Sequence, residues 1–157
     1  MTEGQYSLVG RDTHNLIGAF GEIVAWDTLR KRRGVWSRKI GSWWFFPAGY
    51  PHFRDGALSF LTKKQADFVE NKEANQILDF DFLGVKYKDY ASVDKDQVYL
   101  IEVKAGRGQN IRHYIRNPIR TFQPENITKA KAIGFKVALV VVELLEDWKY
   151  QVSYIEM

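Results

Sequence analysis

The segment Tyr99-Leu100-Ile101-Glu102-Val103-Lys104 is an apolar stretch that carries an acid and a base two residues apart. It predicts a β-strand, in which residues i and i+2 lie on the same face. Glu102 and Lys104 then share one face, and Ile101 and Val103 point into the opposite layer. Two charges on one face of an apolar strand have two interpretations: a nearly neutral surface ion pair, or a site that needs both charges.

A second predicted strand, upstream of the first, carries further acids. It contains Asp79-Phe80-Asp81-Phe82, in which the acids share one face and the phenylalanines the other. A polar turn between residues 86 and 97 would pair the two strands and bring Asp81 beside Glu102 and Lys104. Converging carboxylates repel each other unless a cation lies between them, and hard divalent ions prefer oxygen ligands. Because a neighbouring lysine can orient water or hold a negatively charged substrate oxygen, the pattern predicts metal-assisted phosphodiester hydrolysis.

The composition restricts the class of protein. The chain has 157 residues, no cysteine and a formal net charge of +4, which predicts one domain over residues 1–157 and excludes disulfides and thiolate catalysis. No apolar run reaches the roughly 18 residues that span a bilayer, and the N-terminus lacks a signal-peptide pattern. We therefore expect a soluble, cytoplasmic protein without a membrane partner.

Basic residues cluster along the chain. This pattern is typical of proteins that bind a phosphate backbone, although solvated helix ends produce it as well. The clusters are Arg30–Arg33, Arg38-Lys39 and the later series Arg107, Arg112, Arg116 and Arg120.

The predicted element order is helix, three strands, helix and two strands. The first helix runs from about Asp12 to Arg33 and ends at Gly34, and the second covers residues 125–133. The strands are expected at residues 35–40, 78–86, 97–105, 136–142 and 148–154. An α/β fold with a mixed central sheet flanked by helices is the layer arrangement that this order predicts.

An aromatic-rich insertion is expected at residues 43–76, between the first two strands. It includes a helix that begins with a capping box from Thr62 to Gln65. Its aromatic segment Trp43–Phe53 either covers a sheet edge, the interpretation we favour, or stacks on exposed bases. The five tryptophans of the chain are expected in the core or over sheet edges.

Two glycines interrupt the first helix. Gly18 and Gly21 lower helix propensity, which predicts close approach of another backbone or of a ligand. Glu22 follows the second glycine, and a glutamate on a helix is most often a solvated surface residue.

These features together resemble the PD-(D/E)xK nuclease superfamily, and most closely the archaeal Holliday-junction resolvases. The shared pattern is an acid on one strand followed by Glu-x-Lys on the next, within an αβββαβ order. The local matches are Gly18–Glu22, Gly34, Gly41-Ser42, Asp81–Leu83, Tyr99–Lys104, Gly134–Val140 and Trp148–Tyr150. The resemblance implies a restriction-endonuclease-like core that carries the aromatic-rich insertion.

The resemblance also implies roles for individual residues. The ligands of a Mg²⁺ or Mn²⁺ ion would be Asp81, Glu102, Glu22 and the carbonyl oxygen of Val103. Lys104 would position the attacking water, and Ser42 would lie near the scissile phosphate. Asp79 shares the face of Asp81 and is the alternative to it.

The function implied is that of a metal-dependent DNA endonuclease acting on branched or structured DNA. Such resolvases are homodimers, because a four-way junction presents two equivalent strands. Two long segments, 43–76 and 106–124, depart from the family pattern and leave the junction specificity open. Other interpretations are a different nuclease of the superfamily (exonuclease, nicking or restriction-like), a non-catalytic DNA-binding module, and a protein that docks a partner through exposed aromatics.

Overall fold

The computed structural model describes residues 11–39, 61–69, 80–87, 93–122 and 124–157. The helices are α1 (Arg11–Arg33), α2 (Lys63–Val69), α3 (Gln109–Arg116) and α4 (Pro124–Ala132), with a 3-10 helix at Pro118–Thr121. The strands are β1 (Val35–Lys39), β2 (Phe82–Tyr87), β3 (Val93–Gly106), β4 (Lys136–Leu144) and β5 (Tyr150–Glu156). None of the helices in the described part of the chain is long and apolar enough to cross a membrane.

The strands form one mixed five-stranded sheet in the order β1-β2-β3-β4-β5. The pairs β1/β2, β2/β3 and β4/β5 are antiparallel, and β3/β4 is parallel. A parallel pair needs a crossover connection, which here contains α3 and α4. The sheet and its helices confirm the predicted mixed α/β architecture.

Strand β3 separates two apolar layers. Ile101 and Val103 pack in a buried cluster that includes Leu29 of α1. Leu100 belongs to a second cluster that includes Ile111 of α3. We call these two sides of the sheet the α1 face and the α3 face.

Helix α1 lies close to the sheet at one of its two glycines. A Cβ atom added at Gly21 would overlap the Cβ atom of Ala105 on β3, whereas no described atom lies within 4 Å of a Cβ atom at Gly18. The predicted close approach is therefore found at Gly21 and not, among the described residues, at Gly18. The helix ends as predicted before Gly34, whose φ of 63° is readily adopted by glycine.

Other boundaries also agree with the sequence. Helix α2 begins with the predicted capping box: the Thr62 amide donates to Gln65 Oε1 at 2.9 Å, and the Gln65 amide donates to Thr62 Oγ1 at 3.2 Å. Strand β4 is buried along nearly its whole length, as its continuous apolar run predicts. Ser42, Asp79 and the aromatic segment Trp43–Phe53 lie outside the described residues.

Three features differ from the predictions. Strand β3 begins at Val93 rather than near residue 97, since the antiparallel ladder continues past a register shift to a Tyr87–Val93 pair. The basic segment after β3 contains a helix, α3, that the sequence did not indicate. Trp148 is neither core nor edge-covering, because it is 91% exposed in a turn where it and Asp147 both have positive φ.

Candidate active site

The β2–β3 pairing brings Asp81 beside Glu102. Phe82 pairs with Ile101, so Asp81, one residue before β2, lies opposite Glu102. Two hydrogen bonds hold Asp81 there: its amide donates to the Ile101 carbonyl at 2.8 Å, and its Oδ2 accepts from the Val103 amide at 2.7 Å. The Asp81 carboxylate is thereby fixed against the backbone of β3, as the hairpin interpretation predicts.

Lys104 completes a group of three charged side chains. Its Nζ lies 2.8 Å from Glu102 Oε1, and the exposed fraction of the side chain is 33% for Lys104 and 10% for Glu102. The lysine Nζ also lies 5.9 Å from the ring centroid of Tyr114 on α3. Glu102 is therefore buried, and the lysine paired with it remains partly open to solvent.

The electrostatics of the group favour a bound proton or cation. The pKa of Glu102 is raised to about 8, first by burial and then by the charge of Asp81, and Lys104 opposes both effects. Burial alone would lower the pKa of Lys104, but its hydrogen bond to Glu102 and the charge of Glu102 raise it above its ordinary value. Both acids, Glu102 and Asp81, act on the single ammonium group of Lys104, and carboxylate oxygens are ligands that a divalent cation accepts.

A second ion pair lies on the same face of the sheet. Arg112 of α3 contacts Glu143 of β4, with Nε at 2.8 Å and Nη2 at 2.6 Å from Oε1. Glu143 is buried and pairs in the ladder with Gly106 of β3. Arg112 belongs to the predicted basic clusters, whereas Glu143 was not predicted as a site residue. The feature that could have indicated Glu143 is an acid at the end of the buried apolar run of β4, which resembles the position of Glu102 in β3.

Glu22 is not part of this group, and Ser42 lies outside the described residues. Glu22 lies on α1, which packs against the opposite face of the sheet through its neighbour Gly21. Within the described ranges, no three histidine, cysteine, aspartate or glutamate side chains lie close enough together to hold a metal ion. The additional ligand roles of Glu22 and of the Val103 carbonyl therefore stay predictions.

Two carboxylates nevertheless fit a magnesium-type ion. Mg²⁺ dehydrates reluctantly and is usually held by one or two carboxylates together with water and substrate phosphates. Asp81 and Glu102 supply these donors, and the charge of Asp81 is, after burial, the next cause that raises the pKa of Glu102.

The surface around the site is basic. Arg107, Arg112 and Arg116 are exposed on the loop and helix that follow β3, and Arg116 Nη2 donates to Gln109 Oε1 at 2.8 Å. The other basic cluster, Arg30–Arg33, is in the last turn of α1. The later arginines, unlike the α1 cluster, are connected directly to the strand that carries Glu102 and Lys104.

No protein-family model matches this sequence, and searches of curated proteins and of solved structures found no match to it. The similarity to PD-(D/E)xK nucleases therefore depends on the motifs in the sequence.

Proposed function

We propose that this protein is a metal-dependent DNA endonuclease with a restriction-endonuclease-like core that hydrolyses phosphodiester bonds of branched or structured DNA. The observation that carries the proposal is the grouping of Asp81, Glu102 and Lys104 on one face of the sheet. With α2 inserted after β1 and α3 inserted after β3, the order α1, β1, β2, β3, α4, β4 supports the proposed αβββαβ core. A homodimer is part of the proposal, because a four-way junction has two equivalent strands to cut.

In this proposal Asp81 and Glu102 hold a Mg²⁺ or Mn²⁺ ion. The bound ion would supply charge stabilisation at the phosphate and a lower pKa for a bound water. The Val103 amide keeps the Asp81 carboxylate in position by its 2.7 Å hydrogen bond. A preorganised ligand costs little reorganisation when the charged groups assemble.

Lys104 acts on the water or on the phosphate. Its ammonium is held by Glu102 at 2.8 Å and keeps further N–H donors for an incoming oxygen. It can orient the attacking water or stabilise the negative charge on a non-bridging phosphate oxygen. Hydrolysis forms one bond from water oxygen to phosphorus and breaks one ester P–O bond, and the leaving oxygen takes up a proton.

The test is cleavage of labelled linear, nicked and four-way-junction DNA with Mg²⁺, Mn²⁺ or EDTA. We expect cleavage by the wild type only with metal, and its loss in Asp81→Ala and Glu102→Ala while DNA binding persists. Asp27→Ala is the control, because Asp27 forms an exposed ion pair with Lys31 on α1. The preferred substrate separates a junction resolvase from an exonuclease, a nicking enzyme or a restriction-like enzyme.

A non-catalytic DNA-binding module is the second candidate. It is favoured by the finding that the described residues bring only two carboxylates together, and a fold does not determine a function. Wild-type protein that binds all three DNAs but cuts none with either metal would refute the endonuclease and support this candidate.

A further inference from the structure

In the Arg112–Glu143 pair the carboxylate is buried and the guanidinium is partly exposed. The exposed fraction of the side chain is 50% for Arg112 and 8% for Glu143. A buried carboxylate without compensation is costly, so Glu143 requires the guanidinium. Arg112 does not need Glu143 to compensate its charge, because half of the arginine side chain is exposed to solvent.

The pair is part of the surface that contains Lys104. Glu143 pairs with Gly106, two residues beyond Lys104 on β3, and its alternation along β4 puts it on the α3 face. Residue 111, immediately before Arg112, is a buried isoleucine that would contact a Cβ atom at Gly106 at 3.5 Å. Tyr114, two residues after Arg112, lies near Lys104. Helix α3 therefore holds Arg112 beside the proposed catalytic group.

The geometry of the contact leaves hydrogen-bond donors for a ligand. A guanidinium has five N–H donors in a planar fork. Arg112 directs Nε and Nη2 to a single oxygen of Glu143, so the N–H groups of Nη1 are not engaged by this contact. A planar, permanently charged group held rigidly by a buried carboxylate is well suited to bind a phosphate oxygen.

We propose that Arg112 binds a backbone phosphate of the nucleic-acid substrate beside the scissile bond and that Glu143 is the positioning residue that orients it. This inference rests on the proposed function for the identity of the substrate. The other explanation is a purely structural role, in which the pair only attaches α3 to β4. A structural attachment predicts altered stability without a specific change in phosphate binding.

The first experiment measures DNA affinity in EDTA over a range of salt concentrations, so that no cleavage is required. Losing one phosphate contact weakens binding similarly for all DNA sequences and reduces the slope of log K against log salt by about 1. We expect this change for Arg112→Ala and for the double variant Arg112→Gln with Glu143→Gln. The double variant removes both charges, so it leaves no buried carboxylate uncompensated and keeps the net charge of the protein.

The single variant Glu143→Gln tests the orientation of the Arg112 guanidinium separately from its charge. The arginine remains, so the salt slope is expected to stay at the wild-type value, while kcat falls with little change in KM because the guanidinium is no longer held in place. Arg112→Lys keeps the charge and is expected to keep the slope as well, but to lose kcat because the planar fork is absent. The control is Lys131→Ala, which removes one positive charge from an exposed position in the last turn of α4, outside the basic clusters.

The outcomes distinguish this inference from the proposed function. If the wild type cuts DNA, but Arg112→Ala and the double variant keep the wild-type slope and kcat/KM, the inference is wrong and the endonuclease stands. If the wild type never cuts, but both variants reduce the slope and Lys131→Ala does not, the endonuclease is wrong and the phosphate contact stands. An equal slope change in Lys131→Ala, or no DNA binding by the wild type, overturns the inference.

Discussion

The two faces of strand β3 differ from Ile101 to Lys104, although an apolar cluster lies on each side of the sheet. On the α1 face, Ile101 and Val103 are buried in an apolar cluster under helix α1. On the α3 face, Glu102 and Lys104 form an ion pair that opens to solvent. The comparison shows how one strand can contribute both to the core and to the candidate site. The buried apolar residues hold the strand in place, so that the other face can retain two acids that repel each other, Asp81 and Glu102, beside Lys104.

The charged face is costly to fold. The pKa of Glu102 is raised from 4.5 to about 8, so an ionised Glu102 is disfavoured in the folded protein at neutral pH. Fully buried apolar side chains on the other face, among them Leu29 and Ile101, each contribute about 1.5–3 kcal/mol. If this division of roles is correct, substitutions of Glu102 and Lys104 change activity more than stability, and substitutions of the buried apolar residues under α1 do the opposite.

The largest effect is expected for Lys104→Met. Methionine keeps much of the apolar stem but removes the charge that is proposed to act on the water or the phosphate. We expect kcat to fall by about 10²–10³, or ~2.7–4 kcal/mol of transition-state stabilisation. Metal-dependent cleavage of the preferred DNA measures this loss, and urea denaturation is expected to show little change in unfolding free energy.

A kcat within a few-fold of the wild-type value for Lys104→Met would contradict the proposed role. A large loss of stability in this variant would instead show that the Lys104 side chain is needed for folding, which would weaken the comparison.

A smaller effect is expected on the α1 face, where Gly21 and Gly18 form a matched pair on one helix. Gly21→Ala places a Cβ atom against Ala105, and overpacking of this kind costs about 1–3 kcal/mol. Gly18→Ala meets no described atom within 4 Å and is expected to stabilise the helix by up to about 1 kcal/mol. Chemical denaturation of both variants measures the difference, and changes of the same sign would contradict the close packing of α1 on β3.

The smallest effect is a pH dependence that Glu102→Gln is expected to reduce. Between pH 4.5 and about 8 the folded carboxyl keeps a proton that the unfolded chain has released. The contribution of Glu102 to stability is therefore complete below pH 4.5 and is lost as pH rises through about 8. The loss of this contribution lowers the unfolding free energy of the wild type by up to about 1.4 kcal/mol per pH unit.

Urea denaturation in EDTA at pH 6 and pH 7 tests this dependence. The wild type is expected to lose more stability between the two pH values than Glu102→Gln does, because glutamine cannot release a proton. Equal losses in the two proteins would show that burial does not raise the pKa of Glu102.

Part of the candidate site could be predicted because some of its residues are close together in the sequence. A period of two identifies Glu102 and Lys104 as neighbours on one face, and the acids before β2 indicate the partner strand. Helix α3 was not predictable in the same way. Ile111, Tyr114 and Ile115 do recur at helical spacing, but the helix is only eight residues long and Ile111 is its one buried residue. So short a repeat does not specify a helix by itself, and contact with the sheet stabilises it.

Long-range contacts decided the rest. Asp81 is 22 residues from the Val103 amide that holds it, and Arg112 is 31 residues from Glu143. No local pattern specifies such pairs, because they depend on the register of β2 against β3 and on the position of α3 over the sheet. The exposed position of Trp148 follows in the same way from the turn between β4 and β5.

The sequence by itself determined which residues share a face of each strand, where α1 ends, and that an acid, a Glu-x-Lys pair and an apolar core belong to one α/β sheet. Only the tertiary structure decided that Asp81 is held by the Val103 amide, that Glu102 is buried with a raised pKa, and that Arg112 is held by Glu143 beside Lys104. The physical reason is that side-chain alternation is a property of consecutive residues, whereas burial and ion pairing are properties of segments that meet only after the chain has folded.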